Sequence, residues 1–221
     1  MAGAVNAIEE IGRVGLVAVV TVESADYAQP LADALFAAGL RCVEVVFRTP
    51  AAAAALERLA ADGRLCVGAG TLLSPEQVDR AVAAGACFAV SPGLDEAVVR
   101  RCQAVGVTPI PGIATPTEAM AALRCGLDVV KLFPARVVGG LEMVKALAAP
   151  FPSLRFIPTG GIGLAELPAF AEHPSVLAVG GSWMTPGALL RTGRFDEVTR
   201  LAAEALTAVA AAHASATATS A

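Results

Sequence analysis

The chain has 221 residues, of which 56% are hydrophobic and 16% are charged, and its formal net charge is −4 at pH 7. These values exclude a disordered chain, because so many apolar side chains require a large buried core. They also argue against nucleic acid and anionic membranes as partners, since the sequence contains no concentrated basic run. The length suits a single domain.

Sequence features that direct proteins to membranes or out of the cell are not evident. No apolar run approaches the roughly 20 residues that a spanning helix needs, and the first residues lack the basic segment of a signal peptide. The five cysteines lack C-x-x-C spacing and suit a reducing compartment. We therefore expect a cytoplasmic protein that does not bind a membrane.

Short β-branched runs alternate with alanine- and leucine-rich segments along the chain. Eight runs have the composition of strands, at residues 16–21, 42–47, 65–69, 87–90, 107–111, 127–131, 154–158 and 176–179. Helical patterns lie between them, for instance at residues 27–38, 75–84, 95–104 and 117–124. The strand runs are almost continuously apolar, which is typical of a parallel sheet that is covered on both faces.

The ends of the helical segments carry recognisable signals. Ser74 and Thr115, each followed by proline, predict helix starts. Glycine adopts the left-handed conformation that ends a helix at little cost, so four glycines that precede strand runs predict helix ends. These are Gly39, Gly85, Gly106 and Gly126.

Eight βα units without a change in composition predict an α/β fold consisting of a single (β/α)8 TIM barrel. The domain would span residues 1–212, with an extra N-terminal helix at residues 4–13 and a closing helix at residues 194–212. Residues 213–221 form a tail of small and polar residues that we expect to be disordered. An open, doubly wound sheet is the alternative architecture.

The chain has two lysines, and they differ in context. Lys145 lies in a helical pattern at residues 141–148 and is expected to be a surface charge. Lys131 ends an apolar strand run at the edge where barrel active sites lie. Burial there would favour the free amine, which can act as a nucleophile. A lysine that reaches solvent or pairs with a carboxylate is the structural alternative.

The second strand run has a polar face. Side chains two residues apart share a face, so Glu44, Val46 and Arg48 point the same way, and the apolar residues between them suit packing against helices. The polar face would then look into the barrel, where a buried glutamate is costly unless it is paired or functional. We predict a functional Glu44, and an ion pair between Glu44 and Arg48 is the alternative.

Two glycine pairs, at residues 160–161 and 180–181, follow the last two predicted strands. The loops after strands seven and eight commonly bind phosphate in this architecture, because backbone N–H groups converge there. The hydroxyls of Thr159 and Ser182 would add donors. This pattern predicts a phosphate site.

The sequence offers little support for a metal or a cofactor. No cluster of histidine, aspartate and glutamate occurs at ligand spacing. The turn at residues 68–70 lacks the third glycine of a dinucleotide-binding motif, and we expect it to present Thr71 at a strand end. We therefore predict a reaction without a bound metal or cofactor.

Taken together, these motifs resemble the 2-keto-3-deoxy-6-phosphogluconate (KDPG) aldolase family, also described as 4-hydroxy-2-oxoglutarate (KHG) aldolases. The resemblance runs from the leading helix to Ala212. It is carried by EVVFRT at 44–49, VGAGTLLS at 67–74, FAVSPGL at 88–94, PGIAT at 111–115, VKLFPA at 130–135, PTGGI at 158–162 and VGGSW at 179–183. The resemblance implies a metal-free class I aldolase that forms a covalent imine on a lysine and assembles as a homotrimer of barrels.

The resemblance also implies roles for individual residues. Lys131 would be the Schiff-base lysine and Glu44 the general acid and base. Arg48 and Thr71 would bind the carboxylate of the pyruvyl group. The other implied substrate contacts are Pro92, Phe133 and Thr159 as lining, and Gly160, Gly161 and Ser182 as phosphate ligands.

The implied reaction is the reversible cleavage of KDPG to pyruvate and glyceraldehyde 3-phosphate, a step of carbohydrate metabolism in the Entner–Doudoroff pathway. Three positions depart from the common family pattern: Val46 replaces a frequent threonine, Leu132 an aromatic residue, and Ala18 a proline. These departures concern the lining of the pocket and therefore the substrate preference more than the type of reaction. The same chemistry on the galactonate epimer or on KHG is the nearest alternative. A phosphosugar isomerase that uses Glu44 as a base, or a catalytically silent barrel that binds ligands, are alternatives of other classes.

Overall fold

Eight strands alternate with helices over residues 6–219, which the computed structural model describes. The strands are β1 (Leu16–Val20), β2 (Cys42–Val46), β3 (Cys66–Gly70), β4 (Phe88–Ser91), β5 (Thr108–Ile113), β6 (Val129–Leu132), β7 (Arg155–Pro158) and β8 (Val179–Gly181). The helices are α1 (Ala7–Val14), α2 (Ala28–Ala38), α3 (Ala52–Asp62), α4 (Pro75–Ala83), α5 (Glu96–Val105), α6 (Pro116–Arg124), α7 (Gly140–Ala148), α8 (Leu167–Ala171), α9 (Gly187–Arg191) and α10 (Phe195–Thr219).

The strands form a parallel sheet in the order β7-β6-β5-β4-β3-β2-β1-β8. Strand β1 therefore lies between β2 and β8, although β8 comes last in the chain. Bridges between Phe156 and Val176 and between Thr159 and Gly180 connect the β7 and β8 sides of the sheet. This closure confirms the (β/α)8 barrel and excludes the open doubly wound sheet.

Alternation along β2 divides its side chains between the helices and the barrel interior. Val43 and Val45 are fully buried in the apolar core, whereas Glu44 and Val46 line a cavity inside the barrel. This is the division predicted from the sequence. Glu44 is therefore the one polar residue in the otherwise apolar strand β2.

The helix-end signals are also confirmed. Ser74 accepts a hydrogen bond from the N–H of Gln77, and Thr115 accepts one from the N–H of Glu118. The four glycines that were expected to end helices have φ between +75° and +94°. They are Gly39, Gly85, Gly106 and Gly126.

The predicted position of the eighth strand, at residues 176–179, is wrong, because β8 spans Val179–Gly181. Gly180 and Gly181 therefore lie within the strand and not in a loop after it. A Cβ atom at Gly180 would lie 2.2 Å from Thr159 Oγ1, and one at Gly181 would lie 1.8 Å from the Trp183 ring. These two glycines make space for neighbouring side chains. The strand propensity of the sequence does not reflect this requirement, so it does not predict a strand at these residues.

The helices at the two ends of the chain have bounds that differ from the predicted ones. Helix α1 begins at Ala7, and residues 1–5, which include the start of the predicted helix at 4–13, lie outside the described residues. Helix α10 continues to Thr219, beyond the domain end expected at Ala212, as its many alanines favour. Residues 220–221 of the predicted tail also lie outside the described residues. None of the helices within residues 6–219 combines the length and apolar character needed to cross a membrane.

Candidate active site

A cavity of about 480 Å³ opens at the carboxyl ends of the strands. All ten residues that the sequence singles out as site residues line this one cavity. They are Glu44, Arg48, Thr71, Pro92, Lys131, Phe133, Thr159, Gly160, Gly161 and Ser182. Barrel closure brings them together, because the carboxyl ends of all eight strands meet at one end of the barrel.

Lys131 and Glu44 form a buried pair in this cavity. The Nζ atom of Lys131 lies 3.1 Å from Glu44 Oε1 and 3.3 Å from Oε2, and the two side chains are only 7% and 5% exposed. The ring centroid of Phe133 is 5.2 Å from the same nitrogen. Lys131 thus does not reach bulk solvent, and a carboxylate that can accept its proton is within hydrogen-bonding distance.

The position of the Glu44 carboxylate depends on a glycine in the neighbouring strand. Gly70 is paired with Val46 in the register of β2 and β3. A Cβ atom at Gly70 would lie 2.1 Å from Glu44 Oε1 and 2.7 Å from Cδ, which is far closer than a van der Waals contact. Gly70 therefore provides the space that the carboxylate occupies beside Lys131.

Replacing Gly70 with alanine should displace the Glu44 carboxylate from the Lys131 amine. We expect kcat to fall by about 10²-fold, which is the lower end of the range for losing a positioned acid or base. Steady-state turnover of the variant measures this. Gly93→Ala is the matched control, because a Cβ atom there meets no heavy atom within 4 Å, and it should retain normal turnover. Equal activity of the two variants would contradict the positioning role of Gly70.

Arg48 lies at the mouth of the cavity and is exposed. Its Nη2 atom donates a hydrogen bond to Thr21 Oγ1 at 3.0 Å, while the Glu44 carboxylate contacts Lys131. The alternative of an ion pair between Glu44 and Arg48 is therefore wrong. The guanidinium is held at the cavity edge by a neutral hydroxyl and keeps its charge available to an anionic ligand.

Thr71 has an unusual backbone conformation for its residue type. Its φ is +61°, and within residues 6–219 it is the only non-glycine residue with positive φ. A β-branched residue in the left-handed region costs about 1–3 kcal/mol. The next residue, Leu72, is fully buried and donates its N–H to Val90 O at 3.1 Å. These contacts hold Thr71 at the cavity wall despite the strain, a pattern that is frequent at functional sites.

The loop after β7 contains the first glycine pair. Gly160 and Gly161 have φ of +103° and +80°, a region that side-chain-bearing residues rarely adopt. A Cβ atom at Gly161 would also lie 2.7 Å from Arg136 Cβ. Ser182, which directly follows β8, lines the same cavity. Glycine backbone and a serine hydroxyl are thus available together to a ligand.

The cavity also contains residues that the sequence does not single out. Thr21 follows β1 and binds Arg48, and Thr185 donates a hydrogen bond to Val19 O at 3.0 Å. Thr21 has the same signal as the predicted residues, a polar side chain just after a strand. Thr185 has no such signal, because it is brought to the wall by the turn after β8.

The three departures from the family pattern have unequal access to the cavity. Val46 lines it, whereas Leu132 and Ala18 are fully buried in the core and are not part of its lining. Of these three positions, only Val46 can therefore contact a ligand in the cavity directly.

Comparison with known proteins agrees with this geometry. The sequence profile of a family described as KDPG and KHG aldolase matches residues 8–201. A protein from Treponema pallidum named 2-dehydro-3-deoxy-phosphogluconate aldolase is 48% identical over 205 residues, which cover 91% of this chain and 97% of the relative. A KHG/KDPG aldolase from Escherichia coli K12 is 41% identical over 192 residues, covering 86% and 90%.

A solved structure of KDPG aldolase from Legionella pneumophila is also similar, with a TM-score of 0.86 and 36% sequence identity over 89% of this chain and 96% of that chain. That structure contains pyruvate captured as a covalent carbinolamine intermediate. The profile and the relatives cover nearly the whole barrel, including every strand that contributes to the cavity. The chain belongs to the KDPG and KHG aldolase family.

Proposed function

We propose that the chain is a class I aldolase that reversibly cleaves KDPG to pyruvate and glyceraldehyde 3-phosphate through an imine on Lys131. The observation that carries this proposal is the buried contact of 3.1 Å between Lys131 and Glu44 within the cavity. It supplies an amine nucleophile and a base at proton-transfer distance. The names of the relatives and the carbinolamine in the Legionella pneumophila enzyme support the same chemistry.

Formation of the imine begins with proton transfer. Glu44 accepts a proton from the Lys131 ammonium, and the free amine attacks C2 of the substrate ketone. The attacking nitrogen passes one proton to the C2 oxygen, which gives the carbinolamine. Glu44 then returns its proton as that oxygen leaves as water, and a protonated imine remains. The enclosed position of the pair favours this sequence, because few water molecules compete for the carboxylate.

Cleavage uses the same two groups. A base removes the proton of the C4 hydroxyl, the C3–C4 bond breaks, and its electrons move into the protonated imine to give an enamine and glyceraldehyde 3-phosphate. Protonation at C3 and hydrolysis then release pyruvate and regenerate the lysine. Within the part of the chain that the structure describes, Glu44 is the carboxylate that lines the cavity, and we assign both proton transfers to it.

The two ends of the substrate would bind different walls of the cavity. The Arg48 guanidinium can form two parallel hydrogen bonds with the C1 carboxylate, and Thr71 lies on the adjacent strand end. Pro92, Phe133 and Thr159 would enclose the carbon chain. The phosphate would bind at Gly160, Gly161 and Ser182, where close backbone approach and a hydroxyl donor are combined.

Replacing Ser182 with alanine tests the phosphate assignment. We expect the KM for KDPG to rise by about 10- to 100-fold, since one hydrogen bond to a charged group contributes about 1.5–3 kcal/mol. The KM for unphosphorylated KHG should change less than twofold. Steady-state kinetics with both substrates makes the comparison, and KHG is the internal control. Equal increases in the two KM values would contradict the assignment.

Substrate preference is tested by comparing kcat/KM of the wild-type protein for KDPG, its galactonate epimer and KHG. KDPG should give the highest value. The glycine backbone and the Ser182 hydroxyl in the cavity offer contacts to a phosphate, which favours the two phosphorylated substrates over KHG. A higher kcat/KM for the galactonate epimer or for KHG would be consistent with the aldolase mechanism but would contradict KDPG as the preferred substrate. An isomerase would convert phosphosugars without releasing pyruvate, and a binding module would do neither.

The proposal extends to assembly and location. We infer a homotrimer, as the family resemblance implies, and a cytoplasmic location, which suits the five cysteines without C-x-x-C spacing. Several large apolar side chains are exposed on the chain, including Leu73, Met120 and Val137, and such residues are often covered when subunits associate. Light scattering in solution should give a mass three times that of one chain.

A further inference from the structure

Three cysteines lie together at the amino-terminal end of the barrel, opposite the cavity. Cys42 at the start of β2 is paired in register with Cys66 at the start of β3. The sulfur of Cys66 lies 3.1 Å from the sulfur of Cys87, which directly precedes β4. The bond length of a disulfide is about 2.05 Å, so a small side-chain rotation would bring these two sulfurs to bonding distance.

The backbone positions of Cys66 and Cys87 suit a disulfide. The register of β3 and β4 pairs Gly68 with Phe88, which places Cys66 opposite Ala86 and one residue away from Cys87. With the usual strand spacing and rise, this diagonal separates the two Cα atoms by about 5.8 Å, within the range that disulfides prefer. A hydrogen bond of 2.9 Å from Cys87 N to Val67 O holds the two segments together.

The three thiols differ in accessibility. Cys42 is fully buried, whereas Cys66 and Cys87 are half-buried. A small oxidant can therefore approach Cys66 or Cys87 from the amino-terminal end of the barrel without entering the cavity. Cys42 has no exposed surface, so its thiol is shielded from the same reagent.

We propose that Cys66 and Cys87 form a reversible disulfide when the folded protein meets a peroxide or a small-molecule disulfide. With hydrogen peroxide, one thiolate attacks an oxygen atom, the O–O bond breaks, and the products are a sulfenic acid and hydroxide, which takes up the thiol proton as water. The second thiol attacks the sulfenic sulfur, and a second molecule of water leaves. Two thiols are thus oxidised, and one peroxide is reduced to two molecules of water.

The thiols are not activated, so the reaction should be slow. The hydrogen bond with Cys42 raises the pKa of Cys66 to about 12, and the hydrogen bond with Cys66 likewise raises the pKa of Cys87 above its usual value. Because the thiolate is the reactive form, oxidation at neutral pH should require hours and not seconds. This behaviour matches a structural response to sustained oxidation and not a rapid sensor.

A disulfide at this place would link β3 to β4 far from the chemistry. The length of β3 separates the backbone of Cys66 from that of Gly70, beside which the Glu44 carboxylate lies, by about 13 Å. The oxidised protein should therefore unfold at a temperature about 5–10 °C higher, because the link constrains the unfolded chain. Its kcat should equal that of the reduced protein. The inference does not depend on the proposed substrate.

The sequence makes the pairing directly measurable. Trypsin places the five cysteines in five different peptides, at residues 42–48, 65–80, 81–100, 102–124 and 125–131. The folded wild-type protein is incubated for hours with hydrogen peroxide or oxidised glutathione, its remaining thiols are alkylated, and it is digested without reduction. We expect peptides 65–80 and 81–100 to appear linked, with a mass two hydrogen atoms below their sum, and to separate after reduction.

Variants distinguish the link from a general effect of the oxidant. Cys66→Ala and Cys87→Ala should each lose both the linked peptide and the rise in unfolding temperature. Cys125→Ala, the control, should keep both, since its thiol lies on another part of the barrel. Linkage of either peptide to 42–48, thiols that stay free, or oxidation only to separate acids or mixed disulfides would overturn the proposal.

Discussion

Replacing Lys131 with alanine should abolish turnover, lowering kcat to the background of the assay. The expected loss is the largest of any single substitution, because no other lysine lines the cavity and the imine cannot form without this amine. Release of pyruvate from KDPG, followed with a coupled assay, measures the effect. The matched control is Lys145→Ala, since Lys145 lies on α7 and forms an exposed pair with Glu142 at 2.8 Å.

Covalent trapping of pyruvate tests the imine on Lys131 without relying on the turnover assay. Incubation with pyruvate and borohydride should add a reduced pyruvyl group to Lys131 in the wild-type protein and in Lys145→Ala. Trypsin does not cleave after the modified lysine, so the adduct should appear on a peptide spanning residues 125–136. Mass gained at Lys145, or turnover that survives in Lys131→Ala, would contradict the imine assignment. A phosphosugar isomerase would gain no adduct.

The second large effect is expected for Glu44→Gln. Glutamine has the same shape and keeps a contact with Lys131, but it cannot accept a proton, so kcat should fall by about 10²–10⁴-fold. Borohydride trapping of pyruvate should become slow but stay detectable, because water can replace the carboxylate inefficiently in the proton transfers. The two rates are measured separately, by steady-state turnover and by the time course of adduct formation.

The exposed pair on α7 again supplies the control for this substitution. Glu142→Gln removes the carboxylate beside Lys145 and should leave turnover unchanged. If Glu44→Gln retained normal turnover, the acid–base role of Glu44 would be excluded. If it lost turnover but trapped pyruvate at the normal rate, Glu44 would act only in carbon–carbon cleavage.

Much of the architecture can be predicted from local patterns in the sequence. Strand runs, helix-start residues and helix-end glycines each depend on neighbouring residues only, and seven of the eight predicted strands overlap their observed positions closely. Period-two alternation along β2 predicts that Glu44 faces the interior. The exception is β8, where Gly180 and Gly181 have no strand propensity and are selected by the side chains of Thr159 and Trp183.

The residues that line the cavity can also be predicted from the sequence, because the carboxyl ends of the barrel strands meet at one end. Which of these residues form pairs does not follow from their positions in the sequence. The alternative pairing of Glu44 with Arg48 is compatible with the sequence, since both lie on one face of one strand. The structure instead places Glu44 against Lys131, which lies 87 residues away in the chain.

By itself the sequence determined the eight βα units, the inward face of β2 and the positions of the polar residues that end the strands, because each depends on contacts between near neighbours in the chain. Only the tertiary structure decided which charges pair, which glycine makes room for the Glu44 carboxylate, why Thr71 occupies a strained conformation, and that Cys66 meets Cys87. These features depend on distances between side chains of different strands, and such distances are set by barrel closure and register.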